Sequence, residues 1–342
     1  MTKPFFALCA LASYALRADT VQLTGAGATF PALLYTKWFS DYNKAHPEVE
    51  INYQSIGSGG GIKQITEKTV DLGASDAPMS DEEMAKAPGI QHIPTVMGAV
   101  VIVYNLPGVT SLRLTPETLA GIYLGKITKW SDPALAKDNP NAKLPDLAIA
   151  VAHRSDGSGT TYAFTDYLSK AVPEWKSGPG TGKSVNWPTG LGGKGNDGVT
   201  GVVKQSEGGI GYVELVYASQ NKLPPAEMKN HDGAWVKPTL DTVSAAAGQA
   251  QMPDDYRISI TDMPGKTAWP IATFTYLLIY KDQSDEAKGK ELLKFLWWAE
   301  HDGQKSAAPL DYAPLPKAVV QKVEETLKGL TVRGKAVLAS SK

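Results

Sequence analysis

Ile93-Pro-Thr-Val-Met-Gly-Ala-Val-Val-Ile-Val-Tyr-Asn105 is almost unbroken in apolar character, and Trp269-Pro-Ile-Ala-Thr-Phe-Thr-Tyr-Leu-Leu-Ile-Tyr-Lys281 matches it. Runs of this kind are expected of strands covered on both faces, which places each in the middle of a sheet. Between them lies a self-contained α/β stretch, with helix starts at Thr115-Pro116 and Ser158 and strand patterns LAIAVAHR (147–154) and GGIGYVE (208–214). Before them, VQLT (21–24), VEINYQSI (49–56) and DLGAS (71–75) alternate with helical periods through Leu34, Trp38 and Tyr42 and through Ile62 and Ile65. This β-α-β-α-β rhythm predicts a parallel sheet flanked by helices. Two buried strands bracketing an inserted segment predict two lobes, 19–100 with 270–342 and 101–269, joined by two crossings and able to close over a cleft.

Three stretches place Ser or Thr beside Gly at a helix start. They are Gly25-Ala-Gly-Ala-Thr29-Phe30-Pro31, Gly57-Ser58-Gly-Gly-Gly61 and Arg154-Ser-Asp156-Gly-Ser158-Gly159-Thr160-Thr161. The first N–H groups of a helix lack intrahelical partners and carry a partial positive charge, so each start can cradle an anion. All three follow predicted strands, where ligands of open α/β sheets bind. The first two fall in the outer lobe and the third in the inserted one, so a cage built from them closes only with the lobes. Asp76, after the strand DLGAS, puts one carboxylate at the same sheet end. Arg154 lies two residues from Asp156, so its fork can meet that carboxylate and an anion.

At 342 residues and 42% apolar composition, about two domains are expected. The formal charge of −1 gives no basic surface for nucleic acid. Met1-Thr-Lys3 followed by PFFALCALASYAL and Leu-Arg-Ala18 reads as an export leader over residues 1–18. The single cysteine, Cys9, falls inside it, so a mature chain would have no disulfide or thiolate metal site. The five histidines, at 46, 92, 153, 231 and 301, show no metal-ligand spacing. GAGATF is half of a dinucleotide fingerprint with Phe30 in the third glycine's place. Ser177–Ser184 ends like a nucleotide loop but lacks its first glycine and a following helix. Residues 177–207 and 219–268, rich in Gly, Pro, Lys and Asn, read as surface loops.

The blocks LTGAGATFPALLYTKW, YQSIGSGGGIKQI, VDLGASDAPMSDE, IYLGKITKWSDPAL, RSDGSGTTYAFTDYL, NWPTGLGGKGNDGV and GGIGYVE, in this order, closely resemble the periplasmic phosphate-binding proteins of bacterial phosphate ABC importers. The resemblance runs from about residue 21 to the C-terminus. It implies a type II periplasmic binding protein fold, inorganic phosphate as ligand, and the membrane permease subunits of the importer as partners. It also implies a monomer without cofactor or metal. Phosphate would be held by Thr29, Phe30, Ser58, Asp76, Arg154, Asp156, Ser158, Gly159 and Thr160. Asp76 is the expected acceptor for the proton that phosphate keeps near neutral pH and sulfate lacks. Arsenate shares that proton, while sulfate and molybdate are the unprotonated rivals. An exported phosphatase is the rival from another class.

Overall fold

The computed structural model describes residues 20–338. The expected leader and Cys9 lie outside the described residues. The chain folds as expected into an α/β architecture centred on one curled eight-stranded sheet. Its strands are β1 (Val21–Gly27), β2 (Val49–Ser55), β3 (Leu72–Ser75), β4 (Ile90–Asn105), β5 (Ala150–Arg154), β6 (Leu191–Gly193), β7 (Gly209–Glu214) and β8 (Ala272–Tyr280). Their spatial order is β2-β1-β3-β8-β4-β7-β5-β6.

The predicted β-α-β-α-β unit is present. β1 pairs in parallel with β2 and β3, and the connections are α1 (Ala32–Ala45) and α2 (Ser58–Thr66). Helix α1 turns Leu34, Tyr35, Trp38, Phe39 and Tyr42 inward, the i, i+4 stripe of an amphipathic helix. Ser80 and Glu83 form the expected capping box on α3 (Asp81–Lys86).

β4 joins the two halves of the sheet. Ile90–Ala99 pairs antiparallel with β8, and Val100–Asn105 pairs antiparallel with β7, so the strand changes partner between Ala99 and Val100. Every residue of β4 except Asn105 is buried, which explains its continuous apolar run. Pro94 is accommodated where the β4–β8 register shifts between Thr275 and Tyr276, a position where the missing N–H does least harm.

The second half carries α4 (Gly159–Ala171), α5 (Gly195–Gln205) and α6 (Leu215–Asn221). The first half is completed by α7 (Glu286–Glu300) and α8 (Lys317–Gly329). The two stretches expected as surface loops hold α5 and a further helix at Leu240–Ala247, the latter with a Thr239–Thr242 capping box. Residues 256–259 touch both halves: the Tyr256 hydroxyl donates to Lys322 O of α8 at 2.8 Å, and the Ser259 hydroxyl to Asp166 of α4 at 2.5 Å.

Candidate functional site

Four helix starts, not three, face one another at the carboxyl ends of the strands. β1 leads into Thr29, Phe30 and α1; β2 into Ser58 and α2; β5 into Ser158 and α4; β6 into Asn196 and α5. β3 ends at Asp76 in their midst. Gly57, at φ 89°, brings the second start so close to the third that a Cβ would overlap Asp156 Oδ2. Only glycine fits there.

The nine expected residues form one cluster. Ser58, Ser158 and Thr160 are fully buried, Asp76 is 1% exposed, Thr29 and Arg154 are 3% exposed, and only Asp156 keeps a partly open side chain. The Ser58 Oγ accepts the N–H of Gly159 at 3.0 Å, from the opposite half, and the N–H of Asp76 at 3.2 Å. The neighbouring Gly59 N–H donates to Gly157 O at 2.8 Å, a second bond between the halves. Ser158 caps α4 by accepting the Thr161 N–H at 3.0 Å. The ring of Phe30 points into the core beside Gly98, while its carbonyl accepts the Tyr312 hydroxyl at 2.6 Å. The N–H groups of Phe30 and Thr160 have no protein partner among the described residues.

Arg154 grips Asp156 through two parallel bonds, Nε to Oδ1 at 2.8 Å and Nη2 to Oδ2 at 2.5 Å, and its Nη1 reaches Thr160 Oγ1 at 3.3 Å. Burial pushes the Asp156 carboxyl up, but the Arg154 bonds, its charge and the Gly195 N–H at 3.0 Å outweigh that and hold it below the usual range. Asp76 differs. Burial lifts its pKa to about 7, against the opposing pull of the Thr275 hydroxyl, the Arg154 charge and Ser58. It is a carboxyl ready to exchange a proton near neutrality.

A hydroxyl has one proton and two lone pairs, so what its oxygen accepts dictates what it can offer. Thr29 Oγ1 accepts both the side-chain and the backbone N–H of Asn196, at 2.8 and 3.2 Å. Thr160 Oγ1 accepts from Arg154 and, at 3.4 Å, from Asn196. Ser58 accepts two N–H groups, as above, and Ser158 accepts one. Thr29 and Thr160 therefore have their protons left to give, the Ser58 hydroxyl turns its proton to Asp76 Oδ2 at 3.5 Å, and Asp76 is the acceptor among them. The cage suits a compact oxyanion that carries one hydrogen.

Several contributing residues escape a reading of the sequence. Asn196 opens α5 from Gly192-Gly-Lys-Gly195-Asn196, the same Gly-rich form as the other three starts but with an amide in place of a hydroxyl. Thr275, hidden in the apolar run of β8, donates to Asp76 Oδ1 at 2.9 Å. Tyr217 donates to Thr29 O at 2.6 Å from α6. His153 is stacked on Trp187 with ring centroids 4.8 Å apart, on the far side of Arg154's backbone.

Residues 14–299 match the family model of the PBP superfamily domain. The chain is 46% identical over 333 residues to the phosphate-binding protein PstS of Pasteurella multocida, covering 96% of both chains. It is 47% identical over 309 residues to that of Xylella fastidiosa, covering 89% of this chain and 84% of the relative.

The chain belongs to the PstS family of phosphate-binding proteins.

The PstS fold recurs in solved structures at low identity. One is a high affinity periplasmic phosphate-binding protein bound with phosphate, at TM-score 0.75 and 21% identity, matching 89% of this chain and 93% of that one. Another is a phosphate binding protein from Stenotrophomonas maltophilia, at TM-score 0.70 and 21% identity with the same coverage. These two likenesses establish the type II periplasmic binding protein architecture.

Proposed function

We propose that this chain captures inorganic phosphate in the periplasm and delivers it, chemically unchanged, to the permease subunits of an ABC importer. The nine clustered residues form the proposed site, in which Asp156 steadies Arg154 and the Gly159 N–H, expected as a donor to the guest, is bonded to Ser58 Oγ; the protein is proposed to be a monomer that acts without cofactor or metal and does not bind nucleic acid. The proposed lobes are 19–100 with 270–342, and 101–269, with β4 as the principal hinge. The observation that carries this reading is the buried acceptor Asp76 set among Thr29 and Thr160, hydroxyls whose accepted bonds leave their protons to give.

Near neutral pH phosphate keeps at least one proton and sulfate keeps none. The Asp76 carboxylate receives the phosphate O–H in a charge-assisted bond. Against sulfate it faces a bare oxygen, and a buried acceptor left unpaired beside a like charge is costly. The remaining oxygens are met by the hydroxyls of Thr29, Ser58, Ser158 and Thr160, by the N–H groups of Phe30 and Thr160, and by Arg154. Because Asp156 tempers Arg154, attraction comes from many oriented dipoles in a dry cleft rather than from excess charge. The names of the relatives support phosphate as the physiological guest.

Calorimetric titration of ligand-stripped protein tests this reading. Phosphate and arsenate are expected to compete for one site, with sulfate at least a thousandfold weaker. Equal heats with sulfate, or turnover of a chromogenic phosphate ester, would overturn it.

A further inference from the structure

Asn196 is fully buried, and all of its side-chain hydrogen-bonding groups have protein partners. Its Oδ1 accepts the Glu214 N–H at 3.0 Å, at the end of β7. One amide hydrogen goes to Thr29 Oγ1 at 2.8 Å and the other is directed at Thr160 Oγ1 at 3.4 Å. The Glu214 N–H fixes which way the amide faces, because a flipped amide would set its NH2 against that N–H. The NH2 is thereby obliged to point at the two threonines. Thr29 belongs to the first half of the sheet, whereas Thr160, Glu214 and Asn196 belong to the second.

From this geometry we propose that Asn196 is a positioning residue: by donating to both threonine oxygens, it turns their protons toward the guest, and it does so for Thr29 only when the halves meet. The inference rests on the phosphate reading and deepens it. An unconstrained hydroxyl can turn its lone pair toward an anion's hydrogen or its proton toward an anion's oxygen. Asn196 removes that freedom, leaving Asp76 as the group that tests for a hydrogen. It also ties donor orientation to closure, so the half-open cage offers Thr29 in no fixed sense.

Calorimetry on the full chain tests this with wild type, Asn196→Ala, Thr29→Val, the double variant and Asn196→Asp. If Asn196 acts through the Thr29 hydroxyl, its removal costs about tenfold in phosphate affinity in the wild-type background and less than threefold once Thr29 is valine. Asn196→Asp retains an acceptor for Glu214 but presents an acceptor to the threonines, drawing their protons away. A loss of at least a hundredfold is expected. Equal fold losses for Asn196→Ala in both backgrounds, as a purely structural role would give, would overturn the inference. So would Asn196→Asp binding within threefold of wild type, a result readable even if the alanine variant fails to fold. Failure of the wild-type chain to bind phosphate would instead overturn the phosphate reading itself, before any variant is compared.

Discussion

Gly159 faces Asp76 across the two halves of the sheet so closely that a Cβ on Gly159 would lie 2.6 Å from the Asp76 Cβ and 2.7 Å from its N and Oδ2. Such contacts are forbidden to real side chains, and two of the three atoms, the Asp76 N and Cβ, are held by the main chain. Gly159→Ala is therefore expected to block full closure and lower phosphate affinity at least a hundredfold. Helix content measured by circular dichroism should stay unchanged, since alanine suits the first turn of α4. Wild-type affinity in this variant would show that the halves need not approach so closely.

Ionisation of Asp76 opposes closure. In the closed protein burial lifts its pKa to about 7 from the ordinary 3.8, and solvent in an opened cleft returns it toward that ordinary value. Closing without a guest therefore takes up a proton. It becomes easier as pH falls from about 7 toward about 4, and the cost of closing is constant above about 7. Small-angle scattering of phosphate-free protein is expected to give a larger radius of gyration at pH 8 than at pH 5. Asp76→Asn should remove this pH-dependent step. The same step in that variant would assign the transition to another group.

Lys183 of the second half reaches both carboxylate oxygens of Glu83 in the first, at 2.6 and 2.7 Å. Both side chains are about a quarter exposed, so the pair contributes on the order of 0.5 kcal/mol, screened by salt. Glu83→Gln keeps the capping box and removes the charge. Stopped-flow measurement should show phosphate leaving two- to threefold faster at low salt, with the difference fading at high salt. An unchanged release rate would mean that the pair plays no part in holding the halves together.

Much of this site is readable from sequence because helix starts announce themselves. Ser58 and Ser158 each stand beside glycine and Thr29 two residues after one, all after a strand and before an apolar period, and the fold needs no long-range information to place them. Asn196 is less visible. Helix α5 has a thin apolar stripe, Val199 and Val203, inside a stretch dominated by Gly, Lys and Asn, so the local signal is that of a loop. Burial of the stripe against β7 decides the matter, and that contact is non-local. Thr275 is hidden for the opposite reason: in β8 its apolar neighbours mask one hydroxyl, and only the register shift opposite Pro94 shows where it points. Tyr217 and Tyr312 reach the cage through long side chains from 188 and 282 residues away in sequence, which no local pattern encodes.

The discriminating role of Asp76 is tested most directly by titrating ligand-stripped wild type and Asp76→Asn with phosphate and with sulfate under the same conditions. An amide can turn a donor toward a bare oxygen, so the variant is expected to lose less in phosphate affinity than it gains for sulfate. The ratio between the two anions should then fall by at least a hundredfold. An unchanged ratio in Asp76→Asn would contradict the assignment of Asp76 as the group that detects the phosphate proton.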